Sequence, residues 1–474
     1  MCGIVGAITQ RPINNLIIEG LKRLEYRGYD SAGIALLTQD THCIQTYRVK
    51  GKVNQLSTAI KDVQINAQLG IGHTRWATHG EPAERNAHPH ISNDKISIVH
   101  NGIIENYAEL REQLIRDGYT FSSETDSEVI AHLLEQASQQ EPDLLKALHN
   151  TTKLLKGAFA IGAISTAHPN TLYAARRGSP LVIGIGFEEH FIASDPLALL
   201  PVTQTFIYLE DDDVASIQHN DITVCDAQFN PISRPVKVTA LTAAHVEKGN
   251  HRHFMIKEIY EQADVATNTL NSALNDDTIA LHAFGEQAPQ ILLTIKRIHI
   301  IACGTSLHAG FVAKHWIERH ARIPCAVEIA SEHRYRHHVT EADTLFVALS
   351  QSGETADTLA ALKQAKNNGY TASLAICNVP ESSIVREADM HFLTQAGTEI
   401  GVAATKTFTA QLVALACFSI GLCQINNQPL TLIEEKITAL KQLPQHINNM
   451  LQIEETIEAV ATRFIDKQHA LFLG

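Results

Sequence analysis

The chain has no Cys-x-x-Cys pair, no excess of positive charge and no basic segment leading into an apolar core at its start. Each absence removes a class of protein. The eight cysteines (Cys2, Cys43, Cys225, Cys303, Cys325, Cys377, Cys417 and Cys423) are scattered, so neither a zinc ribbon nor a disulfide framework is expected. Lone thiols in a chain this long point to a reducing, cytoplasmic setting. Lys and Arg number 38 against 51 Asp and Glu, a formal charge of -13, which excludes nucleic acid as the main partner. No secretory signal is read at the N-terminus. The longest apolar stretch, Leu412 to Cys423, is too short to span a bilayer and reads as a buried helix, so no membrane partner is expected. What remains is an acidic, ordinary globular composition over 474 residues, with 45% hydrophobic and 19% charged residues, enough for two or three buried cores.

Two rhythms divide the chain. Up to about residue 240, short apolar runs alternate with turns: MCGIVGAI, SAGIALL, ISIVHNG, FAIGAIS, SPLVIGIG and FIYLEDDDVASI read as strands. Helical patterns fall at Asn15 to Leu24, Ile104 to Asp117 and Ser127 to Ala137, the last opened by a Thr125-x-x-Glu128 capping box. Many strands with few helices predict a layered α+β domain. A polar segment, LTAAHVEKGN, reads as a linker. Beyond it, a helix at Phe254 to Leu270 precedes RIHIIACG, CAVEIAS, TLFVALS, TASLAICN and MHFLT, strands that alternate with helices. That alternation predicts an α/β domain with a doubly wound parallel sheet. A helical stretch at Ile453 to Ile465 leading into HALFLG echoes the segment that leads into IHIIACG, as if a second winding unit begins there.

Several segments carry chemistry. Cys2 follows the initiator Met, and removal of Met1 would give one residue both a thiol and an α-amine of pKa about 7.7–8.0, a nucleophile with its own base. HTRWATHG, residues 73–80, is dense in hydrogen-bonding groups: Arg75 offers a planar fork for a carboxylate, and Thr78 and His79 add polar contacts. In HNGIIEN, the Asn101 amide and the Gly102 N–H can face a developing oxyanion, although Asn-Gly is also the favoured hairpin dipeptide. Asp126 can hold an ammonium or cap a helix. Further on, Ser350-Gln351-Ser352-Gly353-Glu354-Thr355 lies between a strand and a helix, where hydroxyls and backbone N–H groups cradle phosphate without a lysine. It lacks the G-x-x-x-x-G-K pattern of a nucleotide loop. A like loop, Cys303-Gly304-Thr305-Ser306, follows the first strand, and both can face one crevice beyond the strand ends.

Taken together, MCGIVGAI, LEYRGYDSAG, HTRWATHG, HNGIIEN and SETDSEV resemble the glutaminase domain of class II amidotransferases. The SQSGET loop, with HFMIKEIYEQ, EIASEHRYR and AGTEIGVAATKTFTAQL, resembles the sugar isomerase (SIS) domain of the amidotransferases that aminate fructose 6-phosphate. The resemblance implies an N-terminal nucleophile hydrolase fold over 2–240, a linker and helical segment over 241–290, a first SIS domain over 291–430 and an incomplete second one over 431–474. It implies Cys2 as nucleophile, Asn101 and Gly102 as oxyanion hole, Arg75, Thr78, His79 and Asp126 around glutamine, and Trp76 as a gate for ammonia, where a plain core aromatic is the alternative. Thr305, Ser306, Ser350, Gln351, Ser352, Thr355 and Val402 are implied for the sugar phosphate. Glutamine and fructose 6-phosphate are the implied substrates, with a homodimer and no metal or organic cofactor. Ala263 and His333 depart from the family, which usually has Pro and commonly Phe there.

Two rivals are weaker. A phosphoribosyl-pyrophosphate amidotransferase would carry an acidic phosphoribosyl loop rather than SQSGET, and a non-catalytic SIS regulator has no use for Cys2, Arg75, Asn101 and Asp126 together. Family members continue past Gly474 with the residues that open the sugar ring, so this chain alone is expected to hydrolyse glutamine without completing the sugar chemistry. Lys406, the nearest other lysine, reads as the start of a helix.

Overall fold

The computed structural model describes all residues except 1, 62, 64–65, 240–247, 249 and 472–474. Most of the expected linker thus lies outside the described residues. The chain separates into two compact units, Met1–Glu247 and Lys248–Gly474.

In the first unit, the chain order begins β1 (Gly3–Ile8), α1 (Asn14–Leu24), β2 (Ser31–Thr38), β3 (Ile44–Lys50), α2 (Val53–Ala59) and β4 (Ala67–Arg75). It continues with β5 (His90–Ser92), β6 (Ile96–Ile104), α3 (Tyr107–Arg116), α4 (Glu128–Gln140), α5 (Leu144–Leu154) and β7 (Gly157–Ser165). The rest is strand: β8 (Leu172–Arg177), β9 (Val182–Ile185), β10 (His190–Ala193), β11 (Thr205–Tyr208), β12 (Asp213–Ile217), β13 (Ile222–Cys225), β14 (Pro231–Ile232) and β15 (Val236–Val238). Among the described residues these make an eight-stranded sheet, β15-β11-β9-β10-β1-β4-β2-β3, and a seven-stranded sheet, β14-β13-β12-β8-β7-β6-β5. Alternation explains the layering. Ile4, Ile8, Leu69 and Ile71 of the first sheet meet Val99, Ala160 and Ile164 of the second in one buried layer. The opposite faces are covered by helices, α1 and α2 over Val5, Ala7 and Ile34, and α3 to α5 over Ile98, Ile161 and Ala175. The result is a four-layer α-β-β-α unit.

Local readings needed correction here. FIYLEDDDVASI is two strands, β11 and β12, and they belong to different sheets because the acidic turn between them lets the chain cross over. The Thr125–Glu128 capping box does not form. Ser127 occupies the cap position without a side-chain bond to the helix backbone, and Thr125 Oγ1 turns to His90 Nε2 at 3.0 Å. The Glu128 carboxylate instead takes the N–H groups of Ser122 and Ser123 at 2.8 and 2.7 Å and both their hydroxyls at 2.8 and 2.6 Å. A buried carboxylate requires this many donors, and an isolated cap would leave half of its lone pairs empty.

The second unit runs α6 (Phe254–Tyr260), α7 (Gln262–Ala273), the short pair β16 (Leu274–Asn275) and β17 (Thr278–Ile279), α8 (Ala288–Thr294), β18 (Arg297–Ala302) and α9 (Gly304–Trp316). Then come β19 (Cys325–Ile329), α10 (Ala330–Tyr335), β20 (Thr344–Ser350), α11 (Ala356–Ala365), β21 (Ala372–Cys377), α12 (Ser383–Glu387) and β22 (Met390–Leu393). Three helices close it: α13 (Lys406–Ile425), α14 (Leu430–Leu451) and α15 (Glu454–Thr462). The expected helix at Phe254 to Leu270 is two helices that break at Glu261. Among the described residues, five strands form a wholly parallel sheet in the order β19-β18-β20-β21-β22. The order reverses beside β18, so β18 and β20 flank the switch point where the Cys303 and Ser350 loops emerge. Helices cover both faces. Ile298, Ile300, Val347 and Leu374 face one core, while Ile301, Phe346, Ala348 and Ala375 face α10 and α11.

The apolar stretch at Leu412 to Cys423 belongs to α13, which at 20 residues is long and apolar enough to cross a membrane, contrary to the short run expected. Its burial follows from position: Val413, Ala414, Cys417 and Phe418 pack into the sheet's core. Of HALFLG, the described residues His469 to Leu471 form no strand, and the remainder lies outside the described residues.

Glu128 generates a prediction. Burial alone would raise its pKa, but His132, whose Nε2 lies 3.8 Å away, and hydrogen bonds from Ser123 and Ser122 hold it well below the usual carboxylate range. A depressed carboxylate contributes stability above its unfolded pKa of about 4.3 and loses it as pH falls toward the folded value. Glu128→Gln should therefore lower unfolding stability by about 2–3 kcal/mol at pH 7. The gap from wild type should narrow as pH is lowered below about 4.5, read in urea titrations at the lowest pH where both proteins keep a folded baseline; a gap of constant size would refute this account.

Candidate active site

Cys2 stands immediately before β1, whose pairing with β4 sets Gly3 opposite Thr74. The register carries the thiol to the end of β4, where Sγ lies 3.3 Å from the Trp76 N–H donor and 3.6 Å from the Trp76 carbonyl. The second sheet reaches the same point through β6. There Asn101 Nδ2 donates to the Cys2 carbonyl at 3.1 Å. The Asn101-Gly102 pair is therefore no hairpin turn; it lies inside β6, with Asn101 and Gly102 paired to Ala160 and Phe159 of β7. Gly102 is required there. Its φ is +136°, and a Cβ would come within 2.0 Å of the Ala158 carbonyl oxygen.

One buried imidazole sets the Asn101 amide. His73 Nε2 lies 2.9 Å from Asn101 Oδ1 and 3.0 Å from the His100 carbonyl. Two carbonyl acceptors require the proton on Nε2, which pins Oδ1 toward β4 and leaves Nδ2 pointing at Cys2. Around it, His88 stacks on His73 with ring centres 4.1 Å apart, His90 stands edge-on to His88 at 4.5 Å, and His100 Nδ1 meets Ser127 Oγ at 2.8 Å. All four rings are buried.

Arg75 is also buried, but its guanidinium donates to the backbone carbonyls of His79, Gly80 and Glu81. The fork expected for a carboxylate thus also clamps the turn that follows. Asp126 is no helix cap; its Oδ2 accepts from the Ile104 N–H at 2.8 Å, and His79 Nδ1 lies 3.9 Å from Oδ1. Thr78 is exposed on the same turn, and Trp76 is 39% exposed with its ring edge-to-face on Tyr29. Asp30, absent from the expected set, accepts from the Ala77 N–H at 2.9 Å and secures the loop that holds the sulfur. Burial pushes the Cys2 thiol up, partly opposed by the Trp76 N–H, so the resting sulfur is protonated.

In the second unit, the Ser350 loop gathers hydroxyls and backbone N–H groups at a helix start. The Ser350 hydroxyl accepts from the Gly353 N–H at 3.0 Å and shares a hydrogen bond with Thr355 Oγ1 at 3.1 Å. Ser352 Oγ accepts from the Glu354 N–H at 3.2 Å. Thr355 occupies the N-cap position of α11 without a side-chain capping bond, and the loop sits at the positive end of that helix. Gly353, at φ +66°, has Ser382 Oγ 2.0 Å from where a Cβ would stand. Gln351 is half-buried beside these hydroxyls, Thr305 is exposed in the first turn of α9, and Ser306 is buried against Gln411 at 3.0 Å. Val402 is 73% exposed on the loop before α13. That loop is held by two buried glutamates sequence reasoning passed over: Glu258 takes the N–H groups of Ile400 and Gly401 at 2.6 and 2.9 Å, and Glu399 takes that of Thr405 at 2.9 Å. Lys406 is buried at the start of α13, paired to Glu261 at 2.7 Å.

Comparison with known proteins gives concordant matches. A family model described as a glutamine amidotransferase domain matches residues 73–201, and one described as a SIS domain matches residues 291–420. The glutamine–fructose-6-phosphate aminotransferase [isomerizing] of Pseudomonas putida is 51% identical over 475 residues, covering 100% of this chain and 78% of that protein. The enzyme of the same name from Legionella pneumophila strain Philadelphia 1 is 50% identical over 474 residues, with the same coverage. Among solved structures, the C-terminal domain of glucosamine-fructose-6-phosphate aminotransferase from Francisella tularensis is 46% identical, covering 48% of this chain and 64% of its own, at a TM-score of 0.47.

The histidine cluster makes the first unit acid-sensitive. Burial lowers His73 and His90 to about 3, and His88 and His100 are lowered as well. Each ring must stay neutral to remain folded, whereas the unfolded chain takes up protons below about 6.5. Stability is therefore full above pH 6.5 and falls as pH drops toward the folded values, by about 2 kcal/mol at pH 5 for each of His73 and His90. Urea unfolding between pH 7.5 and 5 should show the decline beginning near 6.5; a flat profile to pH 5 would contradict neutral burial.

Proposed function

The chain belongs to the glutamine–fructose-6-phosphate aminotransferase (isomerizing) family, and from that membership we propose how its residues divide the reaction. The function is glutamine-dependent transfer of ammonia to fructose 6-phosphate, giving glucosamine 6-phosphate and glutamate. Cys2 is the nucleophile. With Met1 removed, its α-amine takes the thiol proton, which a sulfur held protonated by burial requires. The thiolate attacks the glutamine side-chain amide carbon, and the tetrahedral oxygen is received by Asn101 Nδ2 and the Gly102 N–H. Ammonia leaves with a proton from the amine, and water then hydrolyses the γ-glutamyl thioester.

Asp126 and Arg75 hold the glutamine amine and carboxylate, with Thr78 and His79 at the rim. Trp76, whose N–H grips the Cys2 sulfur, is the gate for ammonia. In the second unit, Ser350, Gln351, Ser352, Thr355 and Thr305 hold the sugar phosphate, with Ser306 and Val402 beside the sugar. A homodimer and a cytoplasmic location complete the reading; all eight cysteines are free, in keeping with a reducing compartment. The observation that carries this reading is the meeting of the Cys2 sulfur, the Trp76 N–H and the oriented Asn101 amide at one point.

Cys2→Ala should reduce glutamate release at least about a thousandfold with the fold unchanged. Asn101→Ala should lower kcat about a hundred- to a thousandfold with a small change in KM. Protein that retains Met1 by mass spectrometry should be as inactive as Cys2→Ala, and activity in that form would overturn the amine's role. For the sugar, Thr355→Val should weaken fructose 6-phosphate binding by about 1–3 kcal/mol in calorimetry and leave binding of unphosphorylated fructose unchanged. Equal affinity of wild type for the two sugars would remove the phosphate assignment.

A further inference from the structure

Away from the phosphate loop, on the sheet face covered by α10, three ligand-bearing side chains converge. His299 projects from β18, Glu328 from the adjacent β19 and His333 from α10, and one donor atom from each lies within 4.8 Å of the others. Glu328 Oε2 is 3.4 Å from His299 Nε2 and 3.1 Å from His333 Nδ1. Two ligands that each sit about 2.0–2.1 Å from a tetrahedral zinc ion are about 3.3 Å apart, so the spacing suits one cation between them. None of the three residues has a part in the reaction described above.

Other features distinguish this cluster from an ordinary hydrogen-bonded trio. Tyr370 OH lies 2.8 Å from His299 Nδ1. Accepting from that N–H, it fixes the tautomer that leaves the Nε2 lone pair turned to Glu328, the outer-shell support that metal-bound histidines use. Arg336 Nη2 occupies only the other carboxylate oxygen, Oε1, at 2.7 Å. His333 is fully buried, and its Nε2 has no hydrogen-bond partner. The His338 ring lies 4.1 Å from that of His333, and both its nitrogens are buried without partners as well. His333 Nδ1 faces Glu328, so its orphaned Nε2 points away from the carboxylate, while the two unpartnered nitrogens of His338 are costly unless something else satisfies them.

We propose that His299, Glu328 and His333 form a binding site for a divalent cation of the zinc class, with the fourth position taken by water or by His338. Two imidazoles and a carboxylate suit this class better than calcium or magnesium, which favour all-oxygen shells. The ion ties α10 to β18 and β19. Arg334 of α10 pairs with Asp357 in the first turn of α11 at 3.1 Å, so the bound ion also steadies the helix start that carries the Ser350 loop. Its role is structural rather than catalytic.

The test uses the full chain, stripped of metal and titrated with Zn2+ by calorimetry, then loaded with Co2+ for visible spectroscopy. Wild type should bind one Zn2+ that His333→Phe and Glu328→Gln each weaken at least tenfold. His333 packs against Phe346 with ring centres 5.7 Å apart, so a phenyl ring suits the space, and Glu328→Gln serves if that variant does not fold. Tyr370→Phe, which touches no ion, should weaken binding about ten- to a hundredfold. Zn2+ should raise the melting temperature of wild type and leave that of Glu328→Gln unmoved, and the four-coordinate Co2+ bands should be absent in that variant. Zn2+ affinity and Co2+ spectra equal in wild type and both ligand variants would overturn the site, as would the absence of any Zn2+ binding by wild type.

Discussion

The hydrogen bond from His73 Nε2 to Asn101 Oδ1 joins the two sheets at the point where Cys2, the proposed nucleophile, sits. The apolar layer between the sheets brings β4 and β6 together, but apolar contact is indifferent to which way a carboxamide faces. A buried amide with its oxygen and nitrogen exchanged would set two donors against each other at His73 and leave the Cys2 carbonyl facing an oxygen. Both errors carry the full penalty of unpaired buried groups. The packing layer therefore supplies proximity, and the polar bridge supplies the sense of the dipole that catalysis uses.

The second unit reaches a comparable end by other means. Its parallel sheet brings the Cys303 and Ser350 loops out at the reversal of strand order, so topology alone puts two hydroxyl-rich turns on one side. The Ser350 and Thr355 hydroxyls engage one another, and Ser382 under Gly353 leaves the turn a single backbone path. A phosphate arriving there meets donors that are already ordered, which spares the entropy of assembling them. The loop carrying Val402 is steadied differently, by carboxylates of Glu258 and Glu399 that take its backbone N–H groups.

What the sequence discloses follows the range of the interactions. Strands such as SAGIALL and TLFVALS are legible because apolar β-branched runs bounded by turns are local signals. FIYLEDDDVASI reads as one strand, and that its halves are two strands of different sheets depends on partners far away. The reactive segments could be found because Cys2, HTRWATHG and HNGIIEN are compact and chemically dense. Their supports could not. Nothing local to His88 and His90 marks them as buried, and Glu258 takes N–H groups 142 and 143 residues on. The Thr125-x-x-Glu128 pattern misled for the same reason: a local template competed with the donors at Ser122 and Ser123 and lost.

The protonated state of Cys2 ties these observations together. Burial here favours the neutral form of the sulfur, and the Trp76 N–H, the amino terminus and Arg75 together offset it only in part. The surroundings press in the same direction on the nearby rings, since His73, His88, His90 and His100 are all held neutral. For the proposed oxyanion hole, a neutral imidazole wall lends direction to the Asn101 amide without adding a charge that would trap an anion in the ground state. It also removes these imidazoles as proton acceptors at neutral pH. The base must then come from elsewhere, and the residue that carries the sulfur can supply its own α-amine once Met1 is gone. On this view, the low-dielectric packing that makes the first unit acid-sensitive is also what obliges the nucleophile to supply its own base.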